Sequence, residues 1–311
     1  MQELRTDELA GTTVIVAPGR ATRPTVYSAS ASPLAATPTT LASCPFCPGH
    51  ETMTPPEVAR VGDGAPDTPG WQVRVVPNLY PIVGGEHLPG VHEVLVLSPA
   101  HDREFDALSP DAATAALCTL RERAAYLLET GFVHAQPLVN SGRASGASIE
   151  HPHAQLVALT FIPPQVDATL TRFADAGCDL VGAAIDDARR RSCLVRDGGA
   201  AVTWCPPGGI SPFFVRVALA SGPARFDRST DDDLCTLSEA LQDALARLHH
   251  TLGDIAYNIV FNTAPRGDDR PFHFWVDVVP RLGVIGGFEM GTGILVNPVA
   301  PEMAAAMLHD A

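Results

Sequence analysis

The chain has 311 residues, 46% of them hydrophobic, and 35 acidic against 21 basic side chains give a formal net charge of −14. That balance argues against wrapping nucleic acid or lying on an anionic membrane, so an anionic ligand must be held by local groups. The length suits two domains or one large one.

"MQELRTDELAG" at the start carries acids where a signal peptide carries a basic and then an apolar region, and no apolar run reaches the roughly 18 residues of a membrane span. The expectation is a soluble, cytoplasmic protein. Of the seven cysteines, Cys44, Cys47, Cys118, Cys178, Cys193, Cys205 and Cys235, only the first two are close together. An odd, scattered set fits a reduced protein with one Cys-x-x-Cys site better than a secreted disulfide framework.

In chain order, "TTVIVA" (12–17) predicts a strand, and "PGRATRP" with the Ser/Ala/Pro-rich stretch to Ser43 reads as loop. Alternating and β-branched residues predict strands at "WQVRVVPN" (71–78) and "HEVLVLS" (92–98). Residues 111–129 keep an Ala/Leu stripe at helical spacing, with Ser109 as N-cap and Gly131 just past the end. "HAQPLVNSG" (134–142) is a strand and turn, and "HAQLVAL" (153–159) is another strand.

The second half repeats this order. "FFVRVALAS" (213–221) answers the strand at 92–98 and residues 229–253 answer the helix, while "YNIVFNTAP" (257–265) and "FHFWVDVVP" (272–280) answer the last two strands. From Asn140 to His153 is the same step as from Asn262 to Trp275, which sets His151 opposite His273 and His153 opposite Trp275. Two copies of one α+β unit, only one of which keeps both histidines, point to duplication followed by specialisation. Between the copies, "ARRR" (188–191) reads as a solvated helix face, and His249 and His250 stand where a helix C-terminal dipole favours them.

Chemistry concentrates in "NSGRASGASIEHPHAQ" (140–155). His-x-His on a strand sets both imidazoles on one face. If one ring is fixed by a metal or a hydrogen bond, the other can stay neutral and act as a nucleophile near neutral pH. The preceding Gly/Ser loop offers backbone N–H groups that cradle phosphate oxygens without a surface excess of positive charge. Against this stands the plain reading of His151 and His153 as structural histidines at a strand entrance.

"CPFC" (44–47) has three readings: a redox pair, half of a zinc site, or two cysteines packed in a loop. Pro48-Gly49 follows at once instead of a helix, which favours zinc, with His101 and His151 as candidate partners at strand ends.

Seven stretches in order resemble the galactose-1-phosphate uridylyltransferase family of the histidine-triad superfamily: "GRATRP" (19–24), "CPFCPGHE" (44–51), "VRVVPNLYP" (73–81), "GVHEVLVLSPAHD" (90–102), the 140–155 stretch, "FHFWVDVVPRL" (272–282) and "GGFEMGTGILVNPVAPEMAA" (286–305). The resemblance implies an α+β fold of tandem, duplicated half-barrels of antiparallel strands with packed helices, divided here as 1–165 and 166–311. It implies His153 as the nucleophile that becomes a nucleotidyl-imidazole, with Gln155 bonding the phosphoryl oxygens. Cys44, Cys47, His101 and His151 would bind one structural zinc ion. Arg20, Asn140 and Ser148 would contact phosphates, Asn78 and Tyr80 the nucleotide, and Glu289 the sugar. A homodimer is implied as well.

Two departures from the family pattern stand out. Only His273 remains of a second metal site, with Trp275 and Thr263 at other ligand positions, so no second metal is expected; "LGVIGGFE" also lacks the lysine that one branch places before "GFE". The leading expectation is exchange of a nucleoside monophosphate between a nucleoside diphosphate sugar and a hexose 1-phosphate, as in UDP-glucose:hexose-1-phosphate uridylyl transfer. The alternatives are a phosphorylase or hydrolase that passes the same intermediate to phosphate or water, and a zinc-stabilised binding protein without catalysis.

Overall fold

A computed structural model describes residues 2–22 and 38–311. Part of the 18–43 stretch read as loop lies outside the described residues, as do the last two residues of "GRATRP". On either side of that gap the chain forms a 3-10 turn at Pro18–Thr22 and a short helix α1 (Pro38–Ser43).

The strands are β1 (Glu3–Asp7), β2 (Thr12–Val16), β3 (Ala59–Gly62), β4 (Trp71–Pro77), β5 (Gly90–Val96), β6 (His134–Ser141), β7 (His153–Leu159), β8 (Leu194–Asp197), β9 (Ala201–Trp204), β10 (Val215–Leu219), β11 (Tyr257–Asn262), β12 (Trp275–Pro280) and β13 (Leu295–Asn297). Ten of them form one sheet of order β3-β4-β5-β7-β6-β11-β12-β10-β9-β8. All its pairings are antiparallel, and β6 meets β11 at the centre. Asn262 pairs with Trp275, and one step beyond the Val139–Ala154 pair sets Asn140 opposite His153. Asn262 and Trp275 therefore occupy, 122 positions later (262 − 140 and 275 − 153), the places of Asn140 and His153.

Two long helices cover one face of the sheet. In α2 (Pro110–Glu129) the Ser109 side chain accepts from Ala112 N and Pro110 opens the first turn; Ala113, Ala116, Leu117, Leu120, Ala124, Leu127 and Leu128 form the buried stripe. α5 (Asp231–Leu252) begins with a capping box between Thr230 and Asp233 and buries Leu234, Leu237, Leu241, Leu245 and Leu248. Both stripes join the main core with Val139, Ala154, Leu156, Ile259, Val276 and Val278 of the sheet. Alternation then sends His153, Gln155, Asn140 and Asn258 to the opposite face.

That opposite face is treated differently in the two halves. On the second, Leu9 at the β1–β2 turn, Phe173 of α3 (Pro164–Ala176) and Val181, Ile185 and Ala188 of α4 (Leu180–Arg190) pack with Trp204 and Trp275. Under them Arg216 bonds Asp277 at 2.7 Å and Asp7 at 3.0 Å, and all three are buried. Removing one partner from such a buried set costs about 3–5 kcal/mol, so β1 and β2, at the chain start, are fastened to the C-terminal half. On the first half, among the described residues, the comparable apolar cover is the Cys44–Cys47 segment, through Phe46, Trp71, Val76, Val94, Val96 and Ile149. This cover leaves the end of β7 beside a polar loop.

Arg189, Arg190 and Arg191 lie exposed at the end of α4, paired with Asp186, Asp187 and Asp197. His249 and His250 stand in the last turn of α5 as expected, and His249 has a carboxylate partner besides, its Nδ1 lying 3.0 Å from an Asp106 oxygen. Helices α6 (Gly287–Thr292) and α7 (Pro301–His309) flank β13, which pairs in parallel with β2. Among the described residues no helix is long and apolar enough to cross a membrane.

Candidate active site and metal-binding cluster

The strand β7 begins at His153, and His151 stands just before it. Sequence reading placed both on the strand; Pro152 intervenes and has no N–H for a ladder bond, so pairing starts one residue later. The two rings consequently face different partners.

His151 is fully buried and its Nε2 lies 2.8 Å from the Ser98 carbonyl, an acceptor, so the ring carries its proton there. Its Nδ1 lone pair then faces the sulfurs of Cys44 and Cys47, each 3.7 Å away. His101 Nδ1 lies 3.3 Å from Cys47 Sγ. Ligand atoms of all four residues fall within 4.8 Å of one another, so the group could hold a metal ion. The donor set fits such an ion chemically. Burial, and then neighbouring Cys44, push the Cys47 thiol up to about 12, and burial lowers His151 to about 4; a cation supplies what two neighbouring sulfurs, one buried and one part-buried, need in order to ionise, and a neutral imidazole is the form that ligates. Outer contacts hold the loop: the Glu51 carboxylate accepts from Gly49 N and Trp71 Nε1, both at 2.9 Å.

His153 is buried to 5% exposure, and its Nδ1 lies 2.9 Å from the backbone carbonyl of His151. Since a carbonyl only accepts, the proton is on Nδ1 and Nε2 carries the lone pair. Burial lowers the pKa of His153, which favours this neutral form. Phe46 packs edge-on against the ring at 5.3 Å between centroids, and the same phenyl lies 6.1 Å from the ring of His151.

Around His153 the register sets a polar row. Asn140 lies opposite it on β6, Asn258 opposite Asn140 on β11, and Val279 opposite Asn258 on β12. Gln155, two residues along β7 on the same face, has its Oε1 2.8 Å from His92 Nε2. Asn78 joins that group, its Nδ2 lying 3.2 Å from the same His92 nitrogen. The loop after β6 leaves at Gly142, whose φ of 78° is left-handed and where a Cβ would lie 2.8 Å from Ala256 Cβ.

The other sequence candidates are more dispersed. Ser148 is exposed in the loop between Gly142 and His151. Tyr80 is 83% exposed, with its backbone N–H donated to Asn78 Oδ1 at 2.8 Å. Arg20 is exposed on the 3-10 turn at Pro18–Thr22, which follows β2 rather than β7. Glu289 lines a cavity of about 100 Å³ with Arg281, Ser211 and Val279, and its Oε2 accepts from Gly286 N at 3.0 Å. Val279 belongs to the His153 row, so this cavity opens on the same sheet face roughly 14 Å away, three inter-strand spacings of about 4.8 Å. Sequence reading passed over His92 and Asn258; alternation from Val94 and Val96 would have flagged the first, and the repeat register the second.

The residues that stand at the matching positions of the second half have structural partners. His273 Nε2 lies 3.0 Å from the Leu219 carbonyl, much as His151 meets Ser98, while its Nδ1 faces Asp179. Trp275 stacks with Phe272 and Phe173, and Thr263 accepts from Phe226 N.

The chain resembles known proteins along most of its length. The chain is 29% identical to an ADP-glucose phosphorylase of Arabidopsis thaliana over 99% of its own length and 92% of the relative's. A crystal structure of an ADP-glucose phosphorylase from Arabidopsis thaliana with bound ADP-glucose superposes with a TM-score of 0.87 at 28% identity, covering 100% of this chain and 99% of that one. A galactose-1-phosphate uridylyltransferase of Thermotoga maritima is 22% identical over 55% of this chain and 58% of its own. A family described as a domain of unknown function (DUF4921) matches residues 129–310, more than half of the chain. The relatives and the fold bear out the resemblance to the galactose-1-phosphate uridylyltransferase family of the histidine-triad superfamily, and by the family match the chain belongs to the DUF4921 family.

Proposed function

We propose that the protein is a nucleoside-diphosphate-sugar phosphorylase that cleaves ADP-glucose with phosphate, through a covalent adenylyl intermediate on His153. The observation that carries the reading is the fixed neutral His153, its Nδ1 proton held by the His151 carbonyl and its Nε2 lone pair on the face shared with Gln155 and Asn140. Nε2 attacks the α-phosphorus, the bond from that phosphorus to the bridging oxygen breaks, and glucose 1-phosphate leaves. An oxygen of inorganic phosphate then attacks the same phosphorus, the P–N bond breaks, and ADP departs with His153 restored. No general base is needed in the first step, because the attacking nitrogen carries no proton.

Phosphate is preferred to hexose 1-phosphate as acceptor, and adenosine to uridine, because the relative aligned along nearly the whole chain is an ADP-glucose phosphorylase; the uridylyltransferase relative aligns with about half. In this reading Gln155, Asn140, Ser148 and Arg20 bind phosphoryl oxygens, Asn78 and Tyr80 the nucleotide, and Glu289 the sugar. Cys44, Cys47, His101 and His151 would hold a zinc ion that fastens the 44–47 loop to the entrance of β7; with four protein ligands its role is structural. The matching order of strands from the two edges of the sheet supports two duplicated half-barrels, 1–165 carrying the chemistry and 166–311 the degenerate copy. A homodimer belongs to this reading through the family resemblance alone.

The test is intact-protein mass spectrometry after mixing with ADP-glucose or UDP-glucose, then with phosphate or galactose 1-phosphate. The expected result is an AMP adduct on His153, discharged as ADP by phosphate. Absence of any nucleotide adduct overturns the proposal; discharge by galactose 1-phosphate alone restores the transferase reading.

A further inference from the structure

The side-chain amides of Gln155 and Asn140 flank the nucleophile, and each is held by a neighbour whose own orientation is dictated by the backbone. On one side, Ile82 N–H donates to His92 Nδ1 at 3.2 Å. A ring nitrogen that accepts carries no proton, so neutral His92 has its proton on Nε2. That Nε2 has an acceptor at 2.8 Å, Gln155 Oε1. The other group near it, Asn78 Nδ2 at 3.2 Å, is a donor, because Asn78 Oδ1 is taken by Tyr80 N–H. Burial lowers the pKa of His92, which keeps the ring singly protonated. The Gln155 oxygen is thereby capped, and its NH2 is the group left over.

On the other side the argument starts from a carbonyl. Asn258 Nδ2 lies 2.9 Å from the Ser145 backbone oxygen, which can only accept, so the amide is oriented without ambiguity. The second hydrogen of that Nδ2 points to Asn140 Oδ1 at 2.7 Å. Asn140 is left with its own NH2, the two hydrogens of which have no partner among the described residues. Asn258 belongs to β11, so the second half of the sheet sets the direction of a side chain in the first.

We propose that His92 and Asn258 are positioning residues that lock Gln155 and Asn140 with their oxygens turned away, so that the wall beside His153 presents only N–H donors to a phosphoryl group. The inference rests on His153 as the nucleotidylated residue. A wall of fixed donors is complementary to the equatorial oxygens of a phosphorus in transfer and needs no reorganisation as charge shifts. A wall containing one amide oxygen would repel them.

The first test does not depend on activity. Imidazole nitrogen NMR on the wild-type protein, with the His92 signals assigned by their loss in His92→Gln, is expected to show the proton on Nε2; a proton on Nδ1, or on both nitrogens, overturns the proposal. The second test is the rate of adenylylation by ADP-glucose. His92→Ala is expected to slow it roughly ten- to hundredfold, but by less than about threefold in a Gln155→Ala background, because a residue acting through another loses its effect when that other is gone. Equal losses in both backgrounds overturn it. Asn258→Asp can only accept, so Asn140 would have to turn its oxygen toward the phosphoryl group. It is expected to be at least about fivefold slower than Asn258→Ala, a difference that disappears in an Asn140→Ala background; no difference, or one that persists, overturns the proposal. If the wild-type protein takes up no nucleotide, the reading of His153 fails, while the NMR result still decides how the two amides are held.

Discussion

The imidazole of His153 is tied at 2.9 Å to the backbone carbonyl of His151, the residue that belongs to the Cys44, Cys47 and His101 cluster. Peptide geometry thus couples the proposed nucleophile to the Cys/His cluster through a single backbone carbonyl. Two residues of chain serve two separate purposes.

Replacing His153 by Ala should abolish nucleotide labelling while the protein keeps its fold. The side chain gives up one hydrogen bond, worth about 1 kcal/mol, and the cluster behind it is intact. Mass spectrometry and thermal melting check the two halves of the statement; residual labelling elsewhere on the protein would move the nucleophile to another residue.

Because burial depresses the pKa of His153, its neutral form persists below the ordinary histidine value of 6.5. Single-turnover labelling should accordingly show an acid limb whose midpoint lies below pH 6.5. A limb at or above 6.5 would contradict the burial argument.

Gln155→Ala should slow labelling by about 10²–10³, the scale of removing one preorganised donor. A loss under about threefold would remove Gln155 from the transfer step.

Cys44→Ser should lower zinc content and thermal stability together, since metal binding to a structural site contributes folding free energy. A loss of at least about 2 kcal/mol, or a melting shift of roughly 4 °C, is expected. Elemental analysis paired with calorimetry decides; unaltered stability in a zinc-free variant would return "CPFC" to a packed loop.

The Asp106 hydrogen bond raises the pKa of His249 above its ordinary value, against the opposing effect of burial. A raised folded value means that this contribution is fully present below about pH 6.5 and is lost as pH rises through the folded pKa. His249→Gln should therefore cost more stability near pH 6 than near pH 9, as read from denaturant midpoints; a larger cost at the alkaline end would reverse the sign.

The parts of this molecule legible in the sequence are those fixed by local rules. Ser109 caps α2 and Thr230 caps α5 as side-chain chemistry requires, and β7 runs over the apolar stretch that begins at His153. The four cluster residues were also legible, since a Cys-x-x-Cys loop and histidines at strand ends suffice to name them. β1 was not. "ELRTD" has no apolar face and forms a strand because β2 pairs with it and Asp7 is drawn to Arg216. α3 was also missed, and of α4 only the solvated arginine face at its end was legible: the order of both depends on the tryptophans they cover, which are distant in sequence. His92 and Asn258 escaped for the same reason, as their purpose is defined only by which amide stands across the ladder.

The pairing of β6 with β11 has a practical consequence for anyone dissecting the molecule. A fragment ending near residue 165 would retain the sulfurs, both imidazoles and the glutamine, yet expose the whole hydrogen-bonding edge of β6 and strip the main core of α5. Such a naked edge invites strand-to-strand aggregation. The second half of the sheet therefore shields the edge of the first, and cutting the chain there would remove that protection.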